Sequence, residues 1–358
     1  MGQIPEDVSH GATPGPILLF GSGETAPGSR AIWARLFACF DRFLRVAVLE
    51  TPAGFQPNSA QVAGRVVAYL EHRFPQKVAE VVVVPARQRG TPYSPDDPAT
   101  VQPLADADVI YAGAGSPTYM VRQLRDSLAW RVVLAAHLRG TALVFASAAA
   151  IAVGTLALPV YEIYKVGMDL HWQSGLDLPG VYAAQLVIVP HWNNREGGAE
   201  LDTSHCFMGR ARFERLRSLL PPDMSILGID EHTAVLWTPE DNTAGVVGKG
   251  GAVVVQGAVS TYYPRDTAIP FGLLGWTLPD RSPPWPDDVR PTPVQPEAPP
   301  EPPPEVLALV QARAEARARK DWPTADRLRE EIAAHGWRVV DTPEGPRLEP
   351  LPRKEDAR

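Results

Sequence analysis

The chain has little cysteine: Cys39 and Cys206 are the only two in 358 residues. Two thiols so far apart make neither a disulfide framework nor a zinc-spaced set, which points to a reducing cytoplasm and to no metal or other cofactor. Long apolar runs are also missing. None approaches the roughly 18 residues needed to cross a bilayer, so no membrane partner is expected. The start, Met1-Gly2-Gln3-Ile4-Pro5, carries neither the basic stretch nor the apolar segment of a targeting sequence. Positive charge is not in excess, the formal net charge being −7. Phosphate binding rests on clustered Lys and Arg, so the charge argues against nucleic acid as the partner of the chain as a whole.

What is present is core-forming sequence, with 45% of residues apolar. After a polar leader over 1–15, the apolar stretch 17–20 ends in Gly21-Ser22-Gly23-Glu24 and a helical pattern follows over 29–43. The alternation repeats with strands at 45–49, 80–84 and 109–112 and an amphipathic helix at 59–74. Strands alternating with helices predict an α/β fold with a doubly wound, mostly parallel sheet. Runs such as Val81-Val82-Val83-Val84 suit strands covered on both faces. Such sheets bind ligands at the carboxyl ends of their strands.

Three strand ends carry chemistry. The run Ala142-Leu143-Val144-Phe145 breaks at Ala146-Ser147-Ala148-Ala149-Ala150 into a helical pattern, which makes Ser147 a candidate nucleophile. The plainer reading is a small residue at a tight strand-helix junction. Strand 186–189 runs into Pro190-His191-Trp192-Asn193-Asn194, and strand 226–229 into Asp230-Glu231-His232-Thr233. His191 is placed for a base and Glu231 for an acid that orients it, or they are a packing histidine and a solvated carboxylate. His205, near Asp202 and Arg210 at the start of a helix expected over 202–220, is a second candidate base. Gly113-Ala114-Gly115-Ser116-Pro117-Thr118 leaves its strand through glycines and enters a helix at Pro117. Its N–H groups can face a ligand, or the glycines serve only a tight turn. Neither glycine turn has the Lys-Ser/Thr ending of a phosphate loop.

Residues 245–255 read as a β-hairpin closing one edge of the sheet. An α/β domain is thus expected over 16–277. Twelve prolines in the 27 residues of 278–304 read as an extended spacer. Beyond it, 305–349 is expected to form two antiparallel helices and a small hairpin, with a tail over 350–358. This part is not a basic arm, since 305–358 holds eleven basic and eleven acidic residues.

Ala146-Ser147-Ala148, Val189-Pro190-His191-Trp192-Asn193 and Gly228-Ile229-Asp230-Glu231, in that order, resemble the cyanophycinase and peptidase E (aspartyl dipeptidase) family of serine peptidases. The resemblance covers about residues 16–263. It implies the class I glutamine amidotransferase-like, flavodoxin-like fold, with Ser147 as nucleophile, His191 as base and Glu231 as orienting acid. It also implies an oxyanion hole from the backbone of Gly115 and Ala148, with Gly23, Glu24, Ser116, Thr118 and Asn193 about the substrate. Arg87, Arg122 and Arg195 can each hold a substrate carboxylate. The sequence departs from the family at Phe145 and Ala149, where glycine is common. Glutamine amidotransfer is disfavoured, since that chemistry uses a cysteine where Ser147 stands.

The tail has its own resemblance. Glu315-Ala316-Arg317-Ala318-Arg319-Lys320-Asp321-Trp322 and Ala325-Asp326-Arg327-Leu328-Arg329 resemble the small C-terminal domain of bacterial cysteinyl-tRNA synthetases, without that enzyme's active site. The leading expectation is a serine hydrolase cleaving small or acidic (aspartyl) peptides through an acyl-enzyme on Ser147. The alternative is a weakly active or inactive ligand-binding module. In either case the C-terminal domain is expected to contact tRNA or a protein.

Overall fold

The computed structural model describes residues 13–240, 242–279, 283–292, 303–342 and 345–350. The chain divides into two compact units, Met1–Thr292 and Pro293–Arg358.

In the first unit the strands are β1 (Ile17–Phe20), β2 (Leu44–Leu49), β3 (Val78–Val84), β4 (Val109–Ala112), β5 (Ala142–Ala146), β6 (Leu156–Ala157), β7 (Gln173–Ser174), β8 (Leu186–Val189), β9 (Ser225–Ile229), β10 (Thr233–Thr238), β11 (Thr243–Gly248), β12 (Gly251–Gln256), β13 (Val259–Pro264) and β14 (Ala268–Pro270). The helices are α1 (Arg30–Phe37), α2 (Ser59–Arg73), α3 (Pro98–Ala105), α4 (Pro117–Leu124), α5 (Leu128–His137), α6 (Ala148–Ala152) and α7 (Gly209–Arg217). The larger sheet runs β14-β11-β10-β1-β5-β4-β2-β3. Its five strands from β1 to β3 are mutually parallel, and β10, β11 and β14 add an antiparallel edge. This is the expected α/β class.

The strands alternate their side chains between two apolar layers. Leu18, Phe20, Val46, Val48 and Val144 meet Trp33, Leu36 and Val66 on one face. Ile17, Leu19, Ala47, Ile110, Leu143 and Phe145 meet Val133, Trp130 and Ala149 on the other. Burial of both faces explains why these strands are continuously apolar.

A second sheet, β13-β12-β9-β8, was not foreseen. Strand β8 reads locally like any buried parallel strand, yet it pairs with β9, which pairs with β12. The hairpin expected over 245–255 is corrected here, because β11 pairs with β10 and β14 while β12 pairs with β9 and β13. The glycine-rich corner, with Gly248 at φ +129, passes the chain from one sheet to the other. The helix expected over 202–220 is shortened to α7, because Asp202 caps a turn by accepting from the Ser204 and Arg210 N–H groups.

The proline-rich stretch belongs to the first unit as far as Thr292. Arg139 donates to the Pro283 carbonyl and lies over the Trp285 ring, Val289 is buried, and Thr292 N–H donates to Asp106. Among the described residues no helix is long and apolar enough to cross a membrane.

The second unit comprises α8 (Pro304–Ala318), α9 (Trp322–Ala334), β15 (Trp337–Thr342) and β16 (Gly345–Pro350). Asp321 caps α9 by accepting from the Thr324 N–H, and Gly336, at φ +81, ends it. Val306, Ile332, Trp337 and Val339 form its small core, with Leu309, Val310 and Leu348 packed against them.

Candidate active site

Register brings the three strand-end residues together. Phe20 of β1 lies beside Ala146 of β5, so Gly21 stands next to Ser147. The Gly21 carbonyl accepts from the His191 N–H at 3.1 Å, and the Gly21 N–H donates to the Thr233 carbonyl at 2.8 Å. One backbone residue therefore clasps the histidine loop to the main sheet. Strands β8 and β9 are parallel with Val189 opposite Gly228, so His191 and Glu231 both leave at the same end.

The side chains complete what the backbone arranges. Ser147 Oγ lies 3.1 Å from His191 Nε2, and His191 Nδ1 lies 2.9 Å from Glu231 Oε1. A carboxylate only accepts, so Nδ1 carries the proton and Nε2 is left to accept from the serine hydroxyl. Ser147 has φ +51 and ψ −116, and His191 has φ +52. Non-glycine residues held in such regions cost of order 1–3 kcal/mol each and cluster at functional sites.

Glu231 is fixed by groups on either side of it. Its Oε1 also accepts from Asn194 Nδ2 at 2.9 Å, and its N–H donates to Asn193 Oδ1 at 2.8 Å. The hydrogen bond from His191, with help from Asn194, outweighs partial burial and holds its carboxyl below the usual range. Neighbouring Asp230 is pushed the other way by burial, and it points inward to accept from the Gly251 N–H at 2.9 Å. The two adjacent carboxylates are thus divided between site and scaffold.

The glycine turn reaches the serine through Ala149, whose N–H donates to the Gly113 carbonyl at 3.2 Å. Gly115 sits at φ +151, and a Cβ there would come within 1.9 Å of the Pro52 carbonyl oxygen, so only glycine fits. Ala148 opens α6 directly after Ser147. Phe145 does not crowd the turn, because it is buried on the helix side against Trp130 with ring centroids 6.4 Å apart. Ala149 is fully enclosed.

The other named residues divide. Gly23, at φ +73, approaches the His232 ring too closely for any Cβ. Glu24 takes the Tyr111 hydroxyl at 3.2 Å and lines, with Glu50, Arg65, Tyr111 and Gly113, a cavity of about 120 Å3 at the strand ends. Ser116 Oγ is occupied as the N-cap of α4, accepting from the Tyr119 N–H, and Thr118 Oγ1 accepts from Gln173. Arg87 is ion-paired with the buried Glu50 and lies over the Tyr93 ring, and Arg122 lies over the Tyr119 ring. Arg195 is exposed. His205 is not at the serine: it stacks on Phe213 at 4.7 Å and meets Trp192 edge-on at 4.3 Å. Burial there lowers its pKa. Neither Asn194 nor Phe207 was among the candidate site residues read from the sequence. Asn194 had a signal in its place beside Asn193, whereas Phe207, 6.1 Å from the His191 ring, had none.

The first unit is thus an α/β unit that sets a serine, a histidine and a glutamate in hydrogen-bonded series at its strand ends. It shares its fold with the crystal structure of a peptidase from an acI-B1 actinobacterium, at a TM-score of 0.58 and 20% identity, over 73% of this chain and 98% of that one. The second unit compares differently. Residues 299–345 match the family model of the cysteinyl-tRNA ligase anticodon binding domain. A 32-residue stretch is 69% identical to cysteine–tRNA ligase 1 of Burkholderia lata, which is 9% of this chain and 7% of that enzyme's length.

Proposed function

We propose that the chain is a serine-type hydrolase cleaving small peptides through an acyl-enzyme on Ser147. The observation that carries this reading is the unbroken series Ser147 Oγ, His191 Nε2, His191 Nδ1, Glu231 Oε1 at 3.1 and 2.9 Å. A serine hydroxyl is a poor nucleophile until a base takes its proton and a third group fixes that base's tautomer. Ser147 Oγ attacks the scissile carbonyl carbon while its proton passes to His191 Nε2. Ionised Glu231 stabilises the imidazolium. The N–H groups of Ala148 and Gly115 receive the oxyanion, where one donor is typically worth about 10² to 10³ in rate. His191 then gives its proton to the leaving amine, and water, activated by the same nitrogen, hydrolyses the ester.

The aspartyl preference rests on the family resemblance alone. A hydrolysis screen of amino-terminal aspartyl dipeptides, β-aspartyl-arginine and neutral dipeptides, run with native protein and a folded Ser147→Ala variant, tests both parts. Turnover lost in the variant supports the hydrolase. Turnover that survives in it removes Ser147 from the chemistry, and no turnover on any member favours the binding-module alternative.

A second reading, tRNA contact through the C-terminal unit, is favoured by the match over residues 299–345 and by one surface feature. Trp322 is 55% exposed, and the Arg317 guanidinium lies over its ring at 5.9 Å. An exposed ring beside a cation is a platform on which an unpaired base can stack. Filter binding of tRNA to native protein and to Trp322→Ala tests it, and equal retention by both would count against it.

A further inference from the structure

A cavity of about 350 Å3 is lined by Val160, Tyr161, Tyr164, Leu201, Thr203 and Phe207, with Lys165 and Glu196 as its charged members. Pockets for small ligands begin near about 300 Å3 and are mostly apolar with few polar groups. Phe207, which lines this one, is its link to the site. The Phe207 ring stands 6.1 Å from the His191 ring on one side and 5.4 Å from Tyr164 on the other.

The backbone that aims Phe207 is unusual. His205, Cys206 and Phe207 have φ of +54, +57 and +68 in succession, and the Cys206 N–H donates to the His191 carbonyl at 3.1 Å. Opposite, Tyr164 sits on a π-helical turn, Glu162–Val166, a local form that recurs at functional sites. Apolar side chains stand open to solvent along this rim, with Tyr161 45% and Leu201 48% exposed.

The lining argues for an apolar occupant. It holds one cation, Lys165, and one carboxylate, Glu196; Lys165 and Arg212 lie over the Tyr164 ring at 5.0 and 5.8 Å. Glu162 Oε2, on the same turn, is enclosed without a hydrogen-bond partner among the described residues. An aspartyl side chain entering here would lose water among rings and methyl groups, whereas an apolar side chain would exchange water for ring and methyl contacts.

We infer that this cavity is the specificity pocket of the site, and that it takes a large apolar or aromatic side chain of the residue flanking the scissile bond. The inference rests on the hydrolase reading. Occupancy by an acidic side chain, or burial of the rim by a second copy of the chain, are its rivals.

The test separates the two levels. Full-length protein is labelled with a fluorophosphonate, and labelling is competed with two peptide boronic acids that differ only in a benzyl or a carboxymethyl side chain. Labelling that fails in native protein overturns the hydrolase reading, and this inference with it. Where labelling occurs, the benzyl compound is expected to compete at least 10-fold more tightly, since small changes of fit in an apolar pocket are worth about 10- to 200-fold. Leu201→Glu, at an exposed lining position, is expected to erase that preference, measured as the ratio of the two competition constants in the variant. Equal competition, or tighter binding of the carboxymethyl compound, overturns the proposal. So does a dimer in sedimentation that Leu201→Glu dissociates with the preference unchanged, which assigns the rim to a second copy.

Discussion

The two units differ in where their information lies. The first shares 20% identity with a peptidase of like fold, yet it assembles Ser147, His191 and Glu231 from three strand ends into one hydrogen-bonded series. The second has a 32-residue stretch 69% identical to part of a tRNA ligase, yet its core is two helices and a hairpin around Val306, Ile332, Trp337 and Val339. Sequence likeness is concentrated in the part without the serine site, and a name taken from that likeness would describe the smaller unit alone. Side-chain geometry speaks for the larger one.

The sharpest way to break this comparison is at the orienting acid. Glu231→Gln keeps the shape but loses the charge that fixes the Nδ1 proton, and steady-state assays are expected to show kcat lower by about 10⁴-fold. tRNA retention is expected to be unchanged. A smaller effect is expected from Gly115→Ala, because the added Cβ meets the Pro52 carbonyl and must shift the turn. A kcat loss of about 10²-fold with unchanged circular dichroism would mark a displaced oxyanion donor.

Trp322→Ala is the converse probe. Loss of one stacked base is worth about 1 to 3 kcal/mol, so tRNA affinity is expected to fall about 5- to 150-fold while hydrolysis keeps its rate. The smallest effect concerns the scaffold. His137 is fully buried, with Nδ1 donating to the Thr141 carbonyl and Nε2 accepting from the Tyr182 hydroxyl, and burial lowers its pKa to about 4. A free imidazole titrates near 6.5, so between pH 6.5 and 4 the unfolded chain binds more protons than the folded one. Stability is full above pH 6.5 and is expected to fall by about 3 kcal/mol as pH drops to 4. Urea midpoints at pH 7 and pH 4.5 would show the step, and His137→Gln would shrink it.

Much of this was legible in the sequence because Ser147, His191 and Glu231 each lie within two residues of the end of a short apolar strand, a purely local pattern. The second sheet was not legible. Strand β8 carries the same Leu-Val-Ile-Val burial signature whichever sheet it joins, and two strands about Gly248 and Gly251 look like a hairpin whether or not they pair. Phe145 could not be judged either, since its fit depends on Trp130 across the helix layer. Phe207 and Tyr164 lie 43 residues apart in the chain and meet only through a left-handed turn that no local pattern announces.

The most direct measurement is peptide mapping by mass spectrometry of the full-length protein after reaction with a fluorophosphonate. Modification at Ser147, absent in His191→Ala, is the expected result and establishes an activated serine at the β5 end. A protein that stays unmodified, or one modified at another serine, would contradict the hydrolase assignment.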